Sequence, residues 1–585
     1  MHIKRKIKGL SVMLLLAFSI SACSKESSGN LKTNSDVNTE KQLEEEQTNN
    51  QSSVDTNNKE TSNELEQSKV TEETKNSVKT NWDEVYSISE YTPNEDRLFS
   101  LDLSSDLDKY ELEINADIGN YDTSFKISIE AENAMLAGDV KVESTQKGFS
   151  GTGYINGIED SEDTVTFRFK VPGDGAYDLN FISCGVYGYK ENIVLLDGQN
   201  IGTFVVEEGK EFADSFLRGI YMEAGSHEIM VSKSWGWVLI DRLVVSAQKS
   251  MTTNKGEVSA QLINPYATKR TKQLMQFLVD INGEYILSGQ YAEAGLSSAE
   301  FDVIEAATGR VPAILGLDLM ESSPSRVSHG SKSQLYARAK AFDEVGGVIT
   351  LCWHWNAPEK YLYNTNAQPW YRGFYTEATN IDLGKIMSGE DEEGYQLLMD
   401  DIDVIAFQLK RLQELDIPIL FRPLHEASGG WFWWGASGPE AYKKLWKVLY
   451  EKLTYEHGVH NLIWVWNGQS GDWYPGDEYC DIIGEDLYPG NKVYSSQSGK
   501  YNEAVDYTEK KKIIAMSENG CLFDPDLAFR DHAVWSWFGS WSNEFVIKNG
   551  TLSEEYTERY MFDKVYNHAK VITLDELPDL KTYGD

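Results

Sequence analysis

The chain is poor in basic residues and in cysteine. Of its 585 residues, 54 are Lys or Arg and 92 are Asp or Glu, which gives a formal net charge of −38. This excess of negative charge repels nucleic acids and anionic membranes, and it argues against both as partners. Four cysteines lie beyond residue 30, namely Cys184, Cys352, Cys480 and Cys521. They are too few and too scattered to predict a disulfide framework or a Cys/His metal motif, and we expect them to be buried as small apolar groups.

Residues 1–23 have the pattern of an export signal. Basic residues are followed by an apolar run from Leu10 to Ile20 and then by small residues. The run is too short to cross a membrane comfortably and is typical of a secretory signal. Its end, ISAC, resembles the lipobox of bacterial lipoproteins, which implies lipidation of Cys23, an extracellular location and membrane contact only through the lipid anchor. Cleavage after Ala22, which would release a free secreted protein, is the alternative.

The next 100 residues divide into two parts. Residues 24–79 contain no aromatic side chain and consist largely of Ser, Asn, Thr, Glu, Gln and Lys. They cannot bury enough apolar surface to offset the loss of backbone entropy on folding, so a disordered tether is predicted. Residues 80–124 regain Trp, Tyr and Leu but show no pattern that assigns them to a fold.

Residues 125–247 predict an all-β domain. Short alternating or β-branched runs are separated by Gly, Asp and Pro turns, as in a β-sandwich. The motifs IEAENA, SGTGYING, GAYDLNF, EAGSHEIMV and LIDRLVV resemble carbohydrate-binding modules of the galactose-binding-like sandwich type, families 35 and 6.

This resemblance implies a structural calcium site. By position, the family's ligands would be Glu130, Glu132 and Asp241, whose hard carboxylate oxygens suit calcium. The alternative is that these residues are ordinary surface acids at the edge of the sandwich. The ligand of the sandwich itself stays open, because its Tyr and Trp residues could form a sugar platform or simply be buried.

Residues 260–575 predict a second, larger domain. Eight strand-like runs alternate with periodic helical segments, which indicates a parallel sheet and either a (β/α)8 barrel or a doubly wound sheet. The polar and ring-bearing residues cluster at the carboxyl ends of these runs. Because barrel enzymes build their sites at that face, the distribution favours the TIM barrel.

Two carboxylates at these ends suggest glycoside hydrolysis. Glu426 ends the fourth run, residues 418–426, and Glu518 ends the seventh, so both could reach a ligand across the mouth of a barrel. Retaining glycosidases need two such carboxyl groups roughly 5–5.5 Å apart. Taken singly, each glutamate could equally be a structural hydrogen-bonding group. Arg422 has the same strand parity as Glu426 and would point inward, and Asp486 is a further candidate for contact with substrate.

The surrounding motifs resemble glycoside hydrolase family 26. The likeness covers residues 260–575 and rests on RPLHE followed by WFWWG, on SENG, GGVITLCWHWNAP and YILSGQY. It implies that Glu426 is the acid/base and Glu518 the nucleophile. It also implies a set of residues that line the central subsites: His354, His425, Trp431, Tyr488 and Trp541.

The resulting expectation is a monomeric, retaining endo-β-1,4-mannanase that acts on mannan, glucomannan or galactomannan without a catalytic cofactor. The alternatives are a related retaining β-glycanase, such as a β-1,3-xylanase or a mixed-linkage glucanase, and a non-catalytic glycan-binding lipoprotein. The presence of both glutamates argues against the last. A long insertion after the third run, residues 357–387, is expected to form a wall of the cleft.

Overall fold

A computed structural model describes residues 122–188, 190–206, 208–248, 258–292 and 299–584. Residues 1–121 lie outside the described part of the chain. They include the predicted signal with Cys23, the predicted tether, residues 24–79, and most of the unassigned segment, residues 80–124. Within the described residues, no helix is long and apolar enough to span a membrane.

The first domain is a sandwich of two antiparallel sheets, as predicted. One sheet has the strand order β3-β4-β11-β6-β9, with β1 also paired to β11, and the other has the order β2-β5-β10-β7-β8. Apolar side chains from both sheets meet in a buried core. The strands are β1 Lys126–Glu130, β2 Met135–Ala137, β3 Lys141–Glu143, β4 Tyr154–Asn156, β5 Thr164–Val171, β6 Gly175–Cys184, β7 Lys190–Leu196, β8 Gln199–Val206, β9 Ala213–Met222, β10 Gly225–Ser232 and β11 Leu239–Ala247.

The second domain is a closed barrel of eight parallel strands in sequence order, which confirms the predicted TIM barrel. Its strands are buried on both faces, and this explains why the sequence shows nearly continuous apolar runs instead of alternation. A short strand β12, Ile286–Leu287, precedes the barrel. The barrel strands are β13 Gly289–Tyr291, β14 Ile314–Asp318, β15 Val348–Trp353, β16 Ile419–Pro423, β17 Leu462–Trp466, β18 Ile482–Leu487, β19 Ile513–Asn519 and β20 Phe538–Ser540.

Helices cover the outside of the barrel. Side-chain caps begin several of them, as where Asp391 accepts a hydrogen bond from the backbone N–H of Gly394 at the start of α6. Three short strands, β21 Ile547–Lys548, β22 Thr551–Leu552 and β23 Val571–Ile572, lie near the C-terminal end, and β23 pairs with β12. The α-helices are α1 Lys269–Asp280, α2 Ala299–Thr308, α3 Pro324–Ser328, α4 Leu335–Glu344, α5 Leu383–Ser388, α6 Glu392–Gln413, α7 Pro439–Glu451, α8 Ser498–Val505, α9 Pro525–Arg530 and α10 Arg559–Tyr566.

The four cysteines of the two domains, Cys184, Cys352, Cys480 and Cys521, are buried free thiols, as predicted. The sandwich and the barrel pack against each other through α8 and β9. At this contact the side-chain amide of Asn502 donates to the backbone carbonyl of Arg218 at 3.2 Å. Leu217 of the sandwich lies against the backbone of Gly499 in the same helix.

Candidate active site

A buried arginine joins two of the predicted site residues. Arg422 lies near the end of β16 with no exposed surface, and its guanidinium pairs with Asp486 of β18 and with Glu518 of β19. The N–H groups of Arg422 also donate to the hydroxyl oxygen of Tyr291, at 3.2 and 3.4 Å. The carboxyl ends of strands β13, β16, β18 and β19 therefore converge on one guanidinium at the mouth of the barrel.

A strained corner of the backbone, residues 423–426, places the other predicted glutamate, Glu426, at the same end of the barrel. Strand β16 ends at Pro423, and both Leu424 and Glu426 then adopt left-handed backbone conformations with φ of 51°. For residues other than glycine such conformations are costly, and they persist where surrounding contacts enforce them. Asn467, just beyond β17, supplies such contacts, because its side-chain and backbone oxygens accept hydrogen bonds from the Glu426 N–H at 2.9 and 2.8 Å.

The two glutamates are close enough to act on one bond. One carboxylate oxygen from each of Glu426, Glu518 and Asp486 lies within 4.8 Å of the others. This separation fits a retaining glycosidase and is well below the roughly 6.5–9.5 Å that inverting enzymes use to admit a water molecule.

Three acids face a single cation in this cluster, so one of them must keep its proton. Arg422 pairs directly with Asp486 and Glu518, whereas Glu426 receives no bond from the guanidinium in the described contacts. Burial raises the pKa of Glu426 well above its usual range, and the negative charges of Asp486 and Glu518 raise it further. Burial likewise raises the pKa of Asp486 to about 7, although Arg422 opposes this shift. We assign the proton to Glu426, which lacks the partner that stabilises the other two ionised groups.

Trp431 contacts Glu426 in a way that the sequence did not predict. The indole N–H donates to Glu426 Oε2 at 3.0 Å, and this contact lowers the pKa of Glu426. The indole ring folds over Gly429, where a Cβ atom would lie 2.0 Å from the ring, so only glycine fits at this position. The partly exposed ring can still contact a sugar.

Tyr488 holds the second glutamate. Its hydroxyl donates to Glu518 Oε1, while Arg422 donates to Oε2 of the same carboxylate at 2.5 Å. The phenol ring packs against Phe545, with 5.3 Å between ring centroids, and lies over Gly520, where a Cβ atom would approach within 2.5 Å of the ring. Both oxygens of Glu518 are thereby fixed in direction.

The two predicted histidines contact each other. The Nε2 atoms of His354 and His425 are 3.1 Å apart, and His354 Nδ1 lies 2.6 Å from Asp318 Oδ2. Because a carboxylate can only accept, this contact places a proton on His354 Nδ1. Burial lowers the pKa of His425 well below its usual range, so this ring is neutral. A single proton therefore lies in the hydrogen bond between the two Nε2 atoms.

Aromatic rings complete the wall of the cleft. Trp541, just after β20, packs at 4.9 Å from Tyr291 and at 5.8 Å from His354, measured between ring centroids. The insertion, residues 357–387, reaches the same region, because the backbone N–H of Thr376 donates to the Trp431 carbonyl at 2.7 Å. The Thr376 hydroxyl donates to the Gly430 carbonyl at 2.8 Å, so the insertion fixes the segment that carries Trp431.

The structure therefore brings together every barrel residue predicted for the site. It adds three further residues: Tyr291 on Arg422, Asn467 beneath Glu426, and Ser517. The hydroxyl of Ser517 donates to Asp486 Oδ1 at 2.8 Å. Tyr291 and Asn467 stood out as ring-bearing or amide residues at strand ends, whereas Ser517 carried no signal.

The three predicted calcium ligands converge on one turn of the sandwich. Ser150 donates through its backbone N–H to Asp241 Oδ1 at 2.8 Å and through its hydroxyl to Glu130 Oε2 at 2.6 Å. The backbone N–H of Thr152 donates to Glu132 Oε1 at 2.6 Å. The second oxygen of Glu132 is buried without a hydrogen-bond partner. A buried, unpaired carboxylate oxygen beside two further acids fits the donor set of a calcium ion.

Comparisons with known proteins agree with this geometry. Residues 263–576 match glycosyl hydrolase family 26, and residues 127–248 match carbohydrate binding module family 35. A mannan endo-1,4-beta-mannosidase of Thermothelomyces thermophilus is 38% identical over 77% of this chain and 90% of its own length. Mannan endo-1,4-beta-mannosidase B of a Piromyces species is 33% identical over 77% of each chain.

One solved structure combines the same two kinds of domain. The crystal structure of the Podospora anserina GH26-CBM35 beta-(1,4)-mannanase superimposes with a TM-score of 0.54 and 36% identity, covering 79% of this chain and all of that one. The closed barrel, its pair of facing glutamates and these matches lead to one conclusion: the chain belongs to glycosyl hydrolase family 26 and is a glycoside hydrolase that carries a family 35 carbohydrate-binding module.

Proposed function

We propose that this protein is a monomeric, retaining endo-β-1,4-mannanase with Glu426 as acid/base and Glu518 as nucleophile. The observation that carries the mechanism is the approach of the two carboxylates within 4.8 Å of each other. Mannan as substrate is supported by the relatives, which are named mannan endo-1,4-beta-mannosidases and cover most of the chain.

In the first step, a β-mannosidic bond lies between the two glutamates. Protonated Glu426 donates its proton to the glycosidic oxygen, while ionised Glu518 attacks the anomeric carbon and forms a covalent glycosyl-enzyme. The hydrogen bonds from Tyr488 and Arg422 hold the attacking carboxylate in direction. The leaving part of the polysaccharide departs as a neutral alcohol.

In the second step, a water molecule replaces the departed sugar. Glu426, now ionised, accepts a proton from this water as the oxygen attacks the anomeric carbon, which releases Glu518 and restores the starting protonation. Two inversions at one carbon give net retention. Family 26 glycosidases need no cofactor for this chemistry.

The sandwich supports a separate proposal, a structural calcium ion held by Glu130, Glu132 and Asp241. The unpaired buried oxygen of Glu132 favours a cation there. In the described structure, the carboxylate oxygens of these three acids do not all lie within 4.8 Å of one another. Binding is therefore expected to draw the carboxylates closer around the turn at residues 150–152.

Export is proposed from the sequence alone. The basic and apolar residues before ISAC support a secretory signal, and Cys23 would carry the lipid that anchors the enzyme outside the cell.

The substrate proposal predicts a clear preference in a side-by-side assay. Hydrolysis of locust-bean gum, lichenan and β-1,3-xylan should be fastest on the galactomannan, and proton NMR should show the first product of mannohexaose in the β form. Activity confined to lichenan and β-1,3-xylan would reject mannan as the substrate. A first product in the α form would reject retention.

Replacing the nucleophile separates catalysis from binding. Glu518→Ala should reduce the rate on galactomannan by several orders of magnitude while binding to the insoluble polysaccharide persists, because the aromatic walls and the sandwich are unchanged. Glu228→Gln, which changes a partly exposed acid of the sandwich, is the control and should keep full activity. Turnover retained by Glu518→Ala would refute the assignment.

The indole contact predicts a shift in the pH profile. Glu426 must be protonated in the first step, so the basic limb of kcat/KM follows its pKa. Trp431→Phe keeps an aromatic face but removes the N–H that lowers this pKa. The basic limb should therefore move to higher pH, as measured with a soluble mannooligosaccharide.

Trp541→Phe provides the comparison for this measurement, because the described hydrogen bonds show no contact between its indole N–H and Glu426. It should alter KM and leave the basic limb in place. A basic limb that stays unchanged in Trp431→Phe, or moves equally in both variants, would contradict the role of the indole N–H.

Calcium should stabilise the sandwich. Free calcium 100-fold above its dissociation constant would contribute about 2.7 kcal/mol if only the folded protein binds it. Chelation with EDTA should lower the melting temperature of the wild type, and added calcium should restore it. Glu132→Gln should abolish this response and Glu228→Gln should keep it. A wild-type melting temperature that ignores calcium would reject the site.

Lipidation is tested in cells that export the protein. Cys23→Ser should move the enzyme from the membrane fraction to the medium, as measured by mannanase activity in each fraction. Wild-type activity found entirely in the medium would favour simple secretion after cleavage at Ala22.

A further inference from the structure

The loop that follows Tyr488 begins with a short stretch that the barrel does not hold. It runs from Pro489, two residues beyond the end of β18, to Gln497, just before α8. Barrel contacts hold the loop from Lys492 onward, whereas residues 489–491 receive no hydrogen bond from the barrel among the described contacts. Three of its residues have left-handed backbone conformations, with φ of 107° at Gly490, 60° at Lys492 and 57° at Gln497. Glycine has no Cβ to restrict it, so the peptide between Pro489 and Gly490 can rotate unless something outside the loop fixes it.

The sandwich supplies that contact. The side-chain amide of Asn200, in strand β8, donates to the carbonyl oxygen of Pro489 at 3.2 Å. The amide is itself oriented, because its oxygen accepts a hydrogen bond from the backbone N–H of Gly202 at 2.9 Å. Asn200 therefore donates from a fixed direction to the carbonyl of the residue that directly follows Tyr488.

The sandwich also contacts the far end of the loop. A Cβ atom placed at Gly202 would lie 3.5 Å from the side-chain oxygen of Gln497, so strand β8 and the end of the loop are in close contact there. Helix α8, which follows, packs on strand β9. Both ends of the loop thus rest on the sandwich, while Tyr488 at its base bonds Glu518.

We propose that the sandwich is part of the catalytic site's support, and that Asn200 is a positioning residue for the nucleophile. Asn200 fixes the Pro489 carbonyl, the fixed peptide holds the backbone of Tyr488, and Tyr488 directs the carboxylate of Glu518. A carbohydrate-binding domain therefore contributes to the chemical step as well as to attachment. This inference rests on the proposed role of Glu518 as nucleophile.

The test uses the full chain and a substrate that needs neither polysaccharide binding nor an acid. In single turnover with enzyme in excess, the release of dinitrophenol from 2,4-dinitrophenyl β-mannobioside reports only the first step, in which the leaving group departs without protonation, so a defect in Glu426 has little effect and a defect in Glu518 persists. Asn200→Ala should lower the single-turnover rate constant by about tenfold, the size of effect that small misplacements of reacting groups produce, while the half-saturating enzyme concentration changes less than about twofold. Asn200→Asp, which keeps the acceptor and loses the donor, should behave in the same way.

Asn502→Ala is the matched control. It removes an amide hydrogen bond across the same domain contact, to the Arg218 carbonyl, but touches the helix and not the loop. It should leave the single-turnover rate constant within about twofold of wild type. An equal loss of this rate constant in Asn502→Ala would show that the domain contact matters only for general stability and would overturn the proposal.

A double-mutant cycle tests the route through Tyr488. Tyr488→Phe removes the hydroxyl that orients Glu518, so Asn200→Ala should have little further effect in that background, because coupled residues are not additive. A full and independent effect of Asn200→Ala there would refute the route. If the wild type itself fails to release dinitrophenol, the proposed function fails instead, and the two failures are therefore distinguishable.

Discussion

The active site depends on one buried guanidinium shared between two carboxylates. Arg422 has no exposed surface and pairs with both Asp486 and Glu518, and the loss of one partner from such a buried network leaves an uncompensated charge that costs about 3–5 kcal/mol. The same pairing gives the three acids of the cluster different protonation states. Because Arg422 stabilises the ionised forms of its two partners, the remaining acid, Glu426, holds the proton, and a single cation distinguishes the proposed acid from the proposed nucleophile.

Local backbone strain complements this electrostatic arrangement. The left-handed residues on either side of His425 turn the chain sharply at the end of β16, so His425 reaches His354 and Glu426 reaches Glu518 from adjacent positions. A regular strand would send neighbouring side chains to opposite faces. The corner thus brings two functional groups into the cleft that strand geometry alone would separate.

The sequence was informative about the fold and about which residues form the site, and less so about how they act. Apolar runs with polar carboxyl ends were enough to predict the barrel and to place Glu426 and Glu518 at one face. Strand parity correctly pointed Arg422 inward, but it could not describe His425 or Glu426, because β16 ends at Pro423. The N–H contact of Trp431 depends on a ring folding over a glycine, which no pattern of residue types records.

The insertion connects the cleft wall to Glu426, the proposed proton donor, through hydrogen bonds. Thr376 bonds the backbone of Gly430 and Trp431, and the Trp431 indole bonds Glu426. A designer who shortens or exchanges this insertion to admit a differently branched polymer would also disturb the pKa of Glu426, the proposed acid. Substrate scope and optimum pH in this enzyme are therefore expected to change together.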